Sequence, residues 1–283
     1  MFEVITLGSG SAGNATLIRG DRSAFLVDAG LSARQLKVRL GACRVSLETL
    51  SGVLLTHEHG DHTRSLKVLL ASHAVPVYCN ALTARALQDG GLAHSEWRIF
   101  QNASAFDLGE FSIRSFSVPH DAVDPVGFRI SAHGACFGVL TDLGHATRVV
   151  FENLRGVQAL LIETNYDEEL LLQDTRRPWS VKQRIQSRHG HLSNGAAARF
   201  LAELDAPLEQ IILAHLSRDC NSPQRATEHI SRALTGRATS PRIHCALQDE
   251  ASPAFQILSE ARDETPAPIP ETSPPLSQMS FLD

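Results

Sequence analysis

Short apolar runs separated by turn-forming residues dominate the first third of the chain. Val4-Ile5-Thr6-Leu7, Ala15-Thr16-Leu17-Ile18 and Ala24-Phe25-Leu26-Val27-Asp28 are bounded by clusters of Gly, Ser, Asn and Asp, which predicts β-strands with tight connections. Helical spacing of apolar residues follows over 32–40 and again over 64–72. Between about 98 and 140 come several strand-like pieces, including Phe111 to Val118 and Cys136 to Leu140. Beyond 145 the balance moves toward helices, interrupted by two largely apolar stretches, Ala159-Leu160-Leu161-Ile162 and Gln210-Ile211-Ile212-Leu213, that read as buried strands. Sheets with helices packed outside them, an α/β (α+β) class, are the expected architecture.

Composition changes the picture only at the carboxyl end. From Asp263, prolines at 266, 268, 270, 274 and 275 prevent a packed element, so a single domain over 1–262 and a flexible tail over 263–283 are expected. The 43% apolar and 20% charged content of the 283 residues is that of an ordinary soluble globular chain. No secretory leader pattern precedes the strand-like start at Met1-Phe2-Glu3-Val4, and no apolar run reaches the roughly 20 residues that cross a bilayer. Five well-separated cysteines without paired spacing fit reduced thiols, so a cytoplasmic location is expected. A formal charge of −5 argues against bulk electrostatic coating of nucleic acid but leaves room for a local basic groove.

The chemistry is concentrated after the apolar run Val53-Leu54-Leu55. Thr56-His57-Glu58-His59-Gly60-Asp61-His62 puts three imidazoles and a carboxylate in six positions. In an extended turn, His57 and His59 share one side and one ion, while Asp61 and His62 reach a second. Imidazole with carboxylate suits zinc, and also manganese or iron. His120, Asp142 and His215 each follow a strand-like run, the position from which sheet proteins present ligands. The Gly-rich loop Gly8 to Asn14 lacks the Lys-Ser/Thr pair of a phosphate-binding P-loop and reads as a structural turn, with Ser11 and Asn14 at the edge of the site.

The set His57-x-His59-x-Asp61-His62, His120, Asp142 and His215 resembles the metallo-β-lactamase superfamily of dinuclear metallohydrolases. That resemblance implies a four-layer αββα sandwich with the metals at one edge of the facing sheets. It assigns His57, His59 and His120 to one divalent ion, Asp61, His62 and His215 to the other, and Asp142 to both. Asp28 supports the site without binding metal. Finer segments, among them Pro119-His120-Asp121-Ala122, Glu163-Thr164-Asn165, Gly190-His191-Leu192-Ser193-Asn194 and His215-Leu216-Ser217-Arg218-Asp219-Cys220-Asn221, resemble the YycJ/WalJ-like group, which is associated with DNA exonuclease activity and mismatch repair. Tyr166 departs from that pattern, standing where a histidine is expected after Asn165.

A 5′-to-3′ DNA exonuclease in repair is therefore the expected function. Two ions about 3.5–4 Å apart would hold a bridging hydroxide as nucleophile and clamp the phosphodiester. Asp61 orients that hydroxide. His191 resembles the histidine proposed to protonate the leaving group in nuclease members. Ser193 or Asn194 is expected to cap the following helix, with its free amides turned to phosphate oxygens. Within 174–191, Arg177, Lys182, Arg184 and Arg188 are expected partly on one side, Arg184 and Arg188 serving the phosphate backbone and Trp179 anchoring the helix. At the end of the tail, Gln278-Met279-Ser280-Phe281-Leu282 resembles peptides that dock on the β sliding clamp, through Gln278, Met279, Phe281 and Leu282. A hydrolase of small cyclic phosphodiesters or thioesters, and a repair adaptor with structural metals, are the alternatives.

Overall fold

A strand covered on both faces has no solvent side to alternate toward, so it reads as an unbroken apolar run. That is the state of residues 159–162 and 211–214, whereas Phe111–Ser117, with one face less covered, keeps the alternation of buried and exposed positions. The computed structural model describes residues 1–93, 96–237 and 240–258. The tail from 263, with Gln278, Met279, Phe281 and Leu282, and the domain boundary at 262 lie outside the described residues.

Six strands come first: β1 (Phe2–Gly8), β2 (Ala15–Arg19), β3 (Ala24–Val27), β4 (Gly52–Leu54), β5 (Val77–Asn80) and β6 (Trp97–Phe100). Seven follow: β7 (Ala105–Leu108), β8 (Phe111–Ser117), β9 (Val126–Ala132), β10 (Ala135–Leu140), β11 (Ala159–Glu163), β12 (Gln210–Ala214) and β13 (Arg242–Cys245). The last, β14 (Phe255–Ile257), returns to pair antiparallel with β1, Phe2 opposite Ile257. The result is two seven-stranded sheets, ordered β14-β1-β2-β3-β4-β5-β6 and β13-β12-β11-β10-β9-β8-β7. Strands β3 to β6 are mutually parallel, as are β10 to β13.

Helices α1 (Ala33–Ala42), α2 (Gly60–Thr63), α3 (Leu66–Ser72) and α4 (Ala81–Asp89) belong to the first half, and α5 (Arg148–Leu154), α6 (Glu168–Gln173), α7 (Trp179–Ile185), α8 (Asn194–Glu203) and α9 (Pro223–Ala233) to the second. The helix expected over 64–72 starts at Leu66, and the turn before it coils into α2.

Three apolar cores define four layers. Between the sheets, Phe2, Val4, Phe25 and Val27 meet Phe111, Phe128, Phe137 and Leu161. Phe111 stands edge-on to both Phe2 and Phe25, with ring centroids 5.3 and 5.2 Å away, a favoured aromatic geometry. Outside the first sheet, Leu7, Leu17 and Leu26 pack on Leu36 and Leu40 of α1 and on Leu66 and Leu69 of α3. Outside the second, Leu160, Ile162 and Ile211 pack on Leu154 of α5, Phe200 of α8 and Ile230 of α9. This is the expected αββα sandwich. Its consequence for function is directional: β3, β4, β8, β10, β11 and β12 all deliver their carboxyl ends to one edge. Among the described residues no helix is long and apolar enough to cross a membrane.

Candidate metal centre and active site

The residues that leave those strand ends do so in an unusual backbone state. Asp28, Asp142 and His215 have φ of 62°, 53° and 55°, a left-handed conformation that side chains other than Gly adopt sparingly. Each turns sharply out of a buried strand, aiming its side chain across the sheet edge instead of along it. Backbone strain of this kind gathers at functional sites because packing elsewhere sustains it.

The run after β4 is likewise fixed from behind. His57 leaves the strand, His59 precedes α2, and Asp61 and His62 lie on that single helical turn, so the run is bent rather than extended. Gly30 is required here: a Cβ at that position would lie 1.6 Å from the Asp61 carbonyl oxygen. The amides of Asn14 and Ala29 bind the carbonyls of Asp61 and His62 at 2.8 and 2.7 Å, pinning the turn to the Gly-rich loop and to the end of β3. That loop is a structural turn, as expected. Ser9 Oγ accepts the His215 amide at 2.8 Å, and Ser11 lines the cleft.

The structure brings together all seven residues expected to bind metal. One ligand atom from each of His57, His59 and His120 lies within 4.8 Å of the others, and so do those of Asp61, His62 and His215. Asp142 lies between the groups, with carboxylate oxygens 3.1 Å from His62 Nε2 and 3.8 Å from His120 Nε2.

Do these residues suit a cation? Four imidazoles are held through Nδ1: His57 against Thr56 Oγ1 (3.0 Å), His62 against Asp28 (2.8 Å), His120 against the Gly190 carbonyl (3.0 Å) and His215 against Glu163 (2.7 Å). Acceptors at Nδ1 leave Nε2 as the nitrogen turned toward the carboxylates and available as a ligand, the usual arrangement behind metal-binding histidines. Among the described residues His57 Nε2 is buried without a hydrogen-bond partner, a costly state that a bound cation would relieve. Burial, reinforced by the neighbouring His62, pushes the His57 pKa well below its ordinary value, so its nitrogen is available to metal. Burial works against the charge on Asp61 and Asp142, but the histidines around them outweigh it and hold both pKa values low. His62 and His215 are driven the other way: burial opposes their charge, and the adjacent carboxylates, Asp142 foremost, raise their pKa values well above ordinary. Imidazoles and ionised carboxylates converging on one edge fit divalent ions, whose binding would release the protons that His62 and His215 otherwise hold.

Asp28 takes the supporting position expected of it, accepting from the Thr56 amide and hydroxyl at 2.9 and 3.0 Å and from His62. Glu163, the last residue of β11, was not among the expected site residues. Its Oε1 faces the Nδ1 atoms of both His191 and His215 at 2.7 Å, while Oε2 accepts the amides of Leu143 and Leu192 at 3.1 and 3.0 Å. The signal in the sequence was a carboxylate ending a wholly buried strand, since such a charge needs several partners to persist. His191 thus has one nitrogen fixed and the other free. Its pKa, depressed by burial, is raised overall by Glu163.

The cleft in front of these groups encloses about 180 Å³ and is lined by His59, Asp61, His120, Asp142, His191 and His215, with Asp121, Val181, Arg184 and Ile185 along its rim. Several expected binding residues are elsewhere. Ser193 caps α8 through the Ala196 amide, and Asn194 is fully buried in a reciprocal amide pair with Asn221 at 2.9 Å. The Asn194 amide binds the Tyr166 carbonyl at 2.8 Å, so neither residue offers phosphate the groups expected of it. Tyr166 is buried beside Leu171 and Cys220 and does not line the cleft. In the basic stretch, Arg177 is paired with Asp174 and Asp219, and Lys182 is buried, its Nζ donating to the Leu172 carbonyl at 2.8 Å. Arg188 pairs with His145 at 3.2 Å beyond the cleft lining, leaving Arg184 at the rim. Trp179 is 59% exposed and so is not the buried anchor expected of it.

Comparison with known proteins agrees with this geometry. The family model described as a β-lactamase superfamily domain matches residues 23–216. The chain is 34% identical over 231 residues to exodeoxyribonuclease YycJ of Bacillus anthracis, covering 81% of this chain and 87% of that protein. It is 31% identical over 265 residues to exodeoxyribonuclease WalJ of Streptococcus pneumoniae, covering 90% and 98%. Among solved structures, the metallo-β-lactamase fold protein YhfI from Bacillus subtilis superposes with a TM-score of 0.70 at 20% identity, covering 89% of this chain and 99% of that one. The chain belongs to the metallo-β-lactamase superfamily, in its YycJ/WalJ-like group, and is a metal-dependent hydrolase.

Proposed function

We propose that this protein is a nuclease, a 5′-to-3′ DNA exonuclease acting in repair in the cytoplasm, with two divalent ions, zinc or manganese. The observation that carries the reading is His191: an imidazole locked by Glu163 at 2.7 Å and 3.6 Å from Asp142, on the wall of a cleft lined by candidate metal ligands. The YycJ and WalJ relatives are named exodeoxyribonucleases, which supports DNA as the substrate.

Bound divalent ions supply neutralisation of phosphate charge and a nucleophilic water at neutral pH. His57, His59, His120, Asp61, His62, His215 and Asp142 are the residues that would hold them. Asp61, 3.2 Å from His215 and partly exposed to the cleft, aligns the attacking water. His191 gives its proton to the departing ester oxygen, and Glu163 stabilises the charged imidazole until then. Arg184 binds a non-bridging phosphate oxygen. The tail peptide with Gln278, Met279, Phe281 and Leu282 would tether the enzyme to the sliding clamp and raise its local concentration on DNA.

Duplex and single-stranded oligonucleotides labelled at either end, assayed with manganese and with zinc, test this. Mononucleotides released stepwise from the 5′ end are the expected products. Cleavage of a generic phosphodiester reporter with none of DNA would turn the assignment to a small-molecule hydrolase.

A further inference from the structure

The loop after His120 carries a carboxylate that none of the preceding roles uses. Asp121 lines the cleft and accepts the Arg184 Nε hydrogen bond through Oδ2, while its Oδ1 lies 3.3 Å from His120 Nε2. Arg184 comes from α7 and Asp121 from the loop that follows β8, so the pair closes a strut between two walls of the site. Among the described residues, Arg184 is the one arginine or lysine lining the cleft, and neither of its Nη groups has a hydrogen-bond partner.

The loop is a firm mount. The Val123 amide donates to Glu58 Oε1 at 2.8 Å, Asn80 Nδ2 to the Asp124 carbonyl at 2.7 Å, and Asn102 Nδ2 to both Asp124 carboxylate oxygens at 2.9 Å. Arg184, by contrast, has 69% of its side chain exposed, and a free side chain of that length would lose rotamer freedom on binding an anion. A carboxylate gripping Nε removes that freedom beforehand and leaves the planar Nη pair for bidentate contact with phosphate. Asp121 also brings a cost. Without the guanidinium, its negative charge would stand in the cleft and repel the same phosphate.

We propose that Asp121 is a positioning residue that holds Arg184 across the cleft with its Nη edge presented to a phosphate of the substrate. The inference rests on the phosphodiester reading above and predicts an unusual sign pattern. Asp121→Asn alone should raise KM for an oligonucleotide about tenfold, the order expected for loss of a charge-assisted hydrogen bond, with kcat within about threefold. Arg184→Ala should raise KM further, because Asp121 is then uncompensated. The double variant should show a KM no higher than that of Arg184→Ala, and Arg184→Lys should fall between Arg184→Ala and wild type, since an ammonium lacks the fork.

The experiment measures kcat and KM for these four variants with metal, and Kd for a fluorescein-labelled single strand by anisotropy in chelator, where nothing is cut. Metal content and melting temperature are recorded alongside. The expected pattern in KM and Kd, with metal content unchanged, supports the strut. Wild-type KM and Kd for Asp121→Asn, multiplicative effects in the double variant, or metal loss in Asp121→Asn each overturn it. If the wild type cleaves a generic diester reporter but neither cuts nor binds DNA, the DNA reading fails. The same cycle read on the reporter then decides the role of Asp121 separately.

Discussion

Glu163→Gln keeps the shape of the side chain and removes its charge, which isolates what the carboxylate does. Four donors converge on Glu163, two imidazole Nδ1 groups at 2.7 Å on one oxygen and two backbone amides at 3.0 and 3.1 Å on the other. A carboxamide has a single acceptor oxygen, so its NH2 must face two donors in either orientation. One orientation strands the amides of Leu143 and Leu192, the other the rings of His191 and His215. A buried donor left unpaired costs about 1–3 kcal/mol, so two cost at least about 2 kcal/mol. In a domain of this size each kcal/mol moves Tm by about 2–4 °C, and the variant should melt at least about 4 °C lower. Loosening His215 from behind should weaken metal affinity by about 10- to 100-fold, as losing such a supporting partner typically does.

The pH dependence has a definite sign. Glu163 outweighs burial and raises the His191 pKa, so the acid form persists above the ordinary imidazole range. Without Glu163 the pKa falls, and the alkaline limb of the kcat profile should move to lower pH. At alkaline pH the deficit approaches that of losing the general acid, about 10²- to 10⁴-fold, and it narrows toward pH 6. Calorimetry, metal analysis and kcat against pH at saturating metal provide the readouts. A variant with wild-type Tm, metal content and profile would refute the assigned role.

Gly30→Ala should fail to fold or should lose more than about 3 kcal/mol, because its Cβ would meet the Asp61 carbonyl at 1.6 Å; a wild-type chemical denaturation midpoint would show that the turn yields. Trp179→Ala should change stability by no more than about 0.5 kcal/mol, since the indole is 59% exposed; a larger loss would restore the anchor reading. Chelation should lower Tm reversibly, because each ion supplied at a hundredfold excess over its Kd stabilises the fold by about 2.7 kcal/mol; an unchanged Tm with stripped metal would argue that the site is built without help from cations. His57→Ala should lose bound metal and activity together while removing the unpartnered Nε2, and retention of metal would exclude His57 as a ligand.

Much of the site was legible because its residues sit at places that chain-local patterns reveal. His57, His59, Asp61 and His62 fall within one turn of chain, and Asp28, Asp142 and His215 each terminate an apolar run. Strand and helix positions came from the same source, since burial on one or both faces leaves a periodic trace in the sequence. The misreadings share a different cause. Asn194, Lys182 and Arg188 were judged from neighbours along the chain, whereas their partners Asn221, Leu172 and His145 lie 10 to 43 positions away, and only packing reveals which face of a helix, such as the one bearing Trp179, is covered.

By itself the sequence determined that this chain builds sheets with helices packed outside them and holds a histidine and carboxylate set suited to metal, because spacing and apolar runs act over a few residues. Only the tertiary structure decided that His57, His62, His120 and His215 are each held through Nδ1, that Glu163 holds two imidazoles at once, and that Arg184 alone among the basic residues reaches the cleft from that stretch. Those properties depend on distances between strand ends far apart in the chain. They come into being when the two sheets close on their common core.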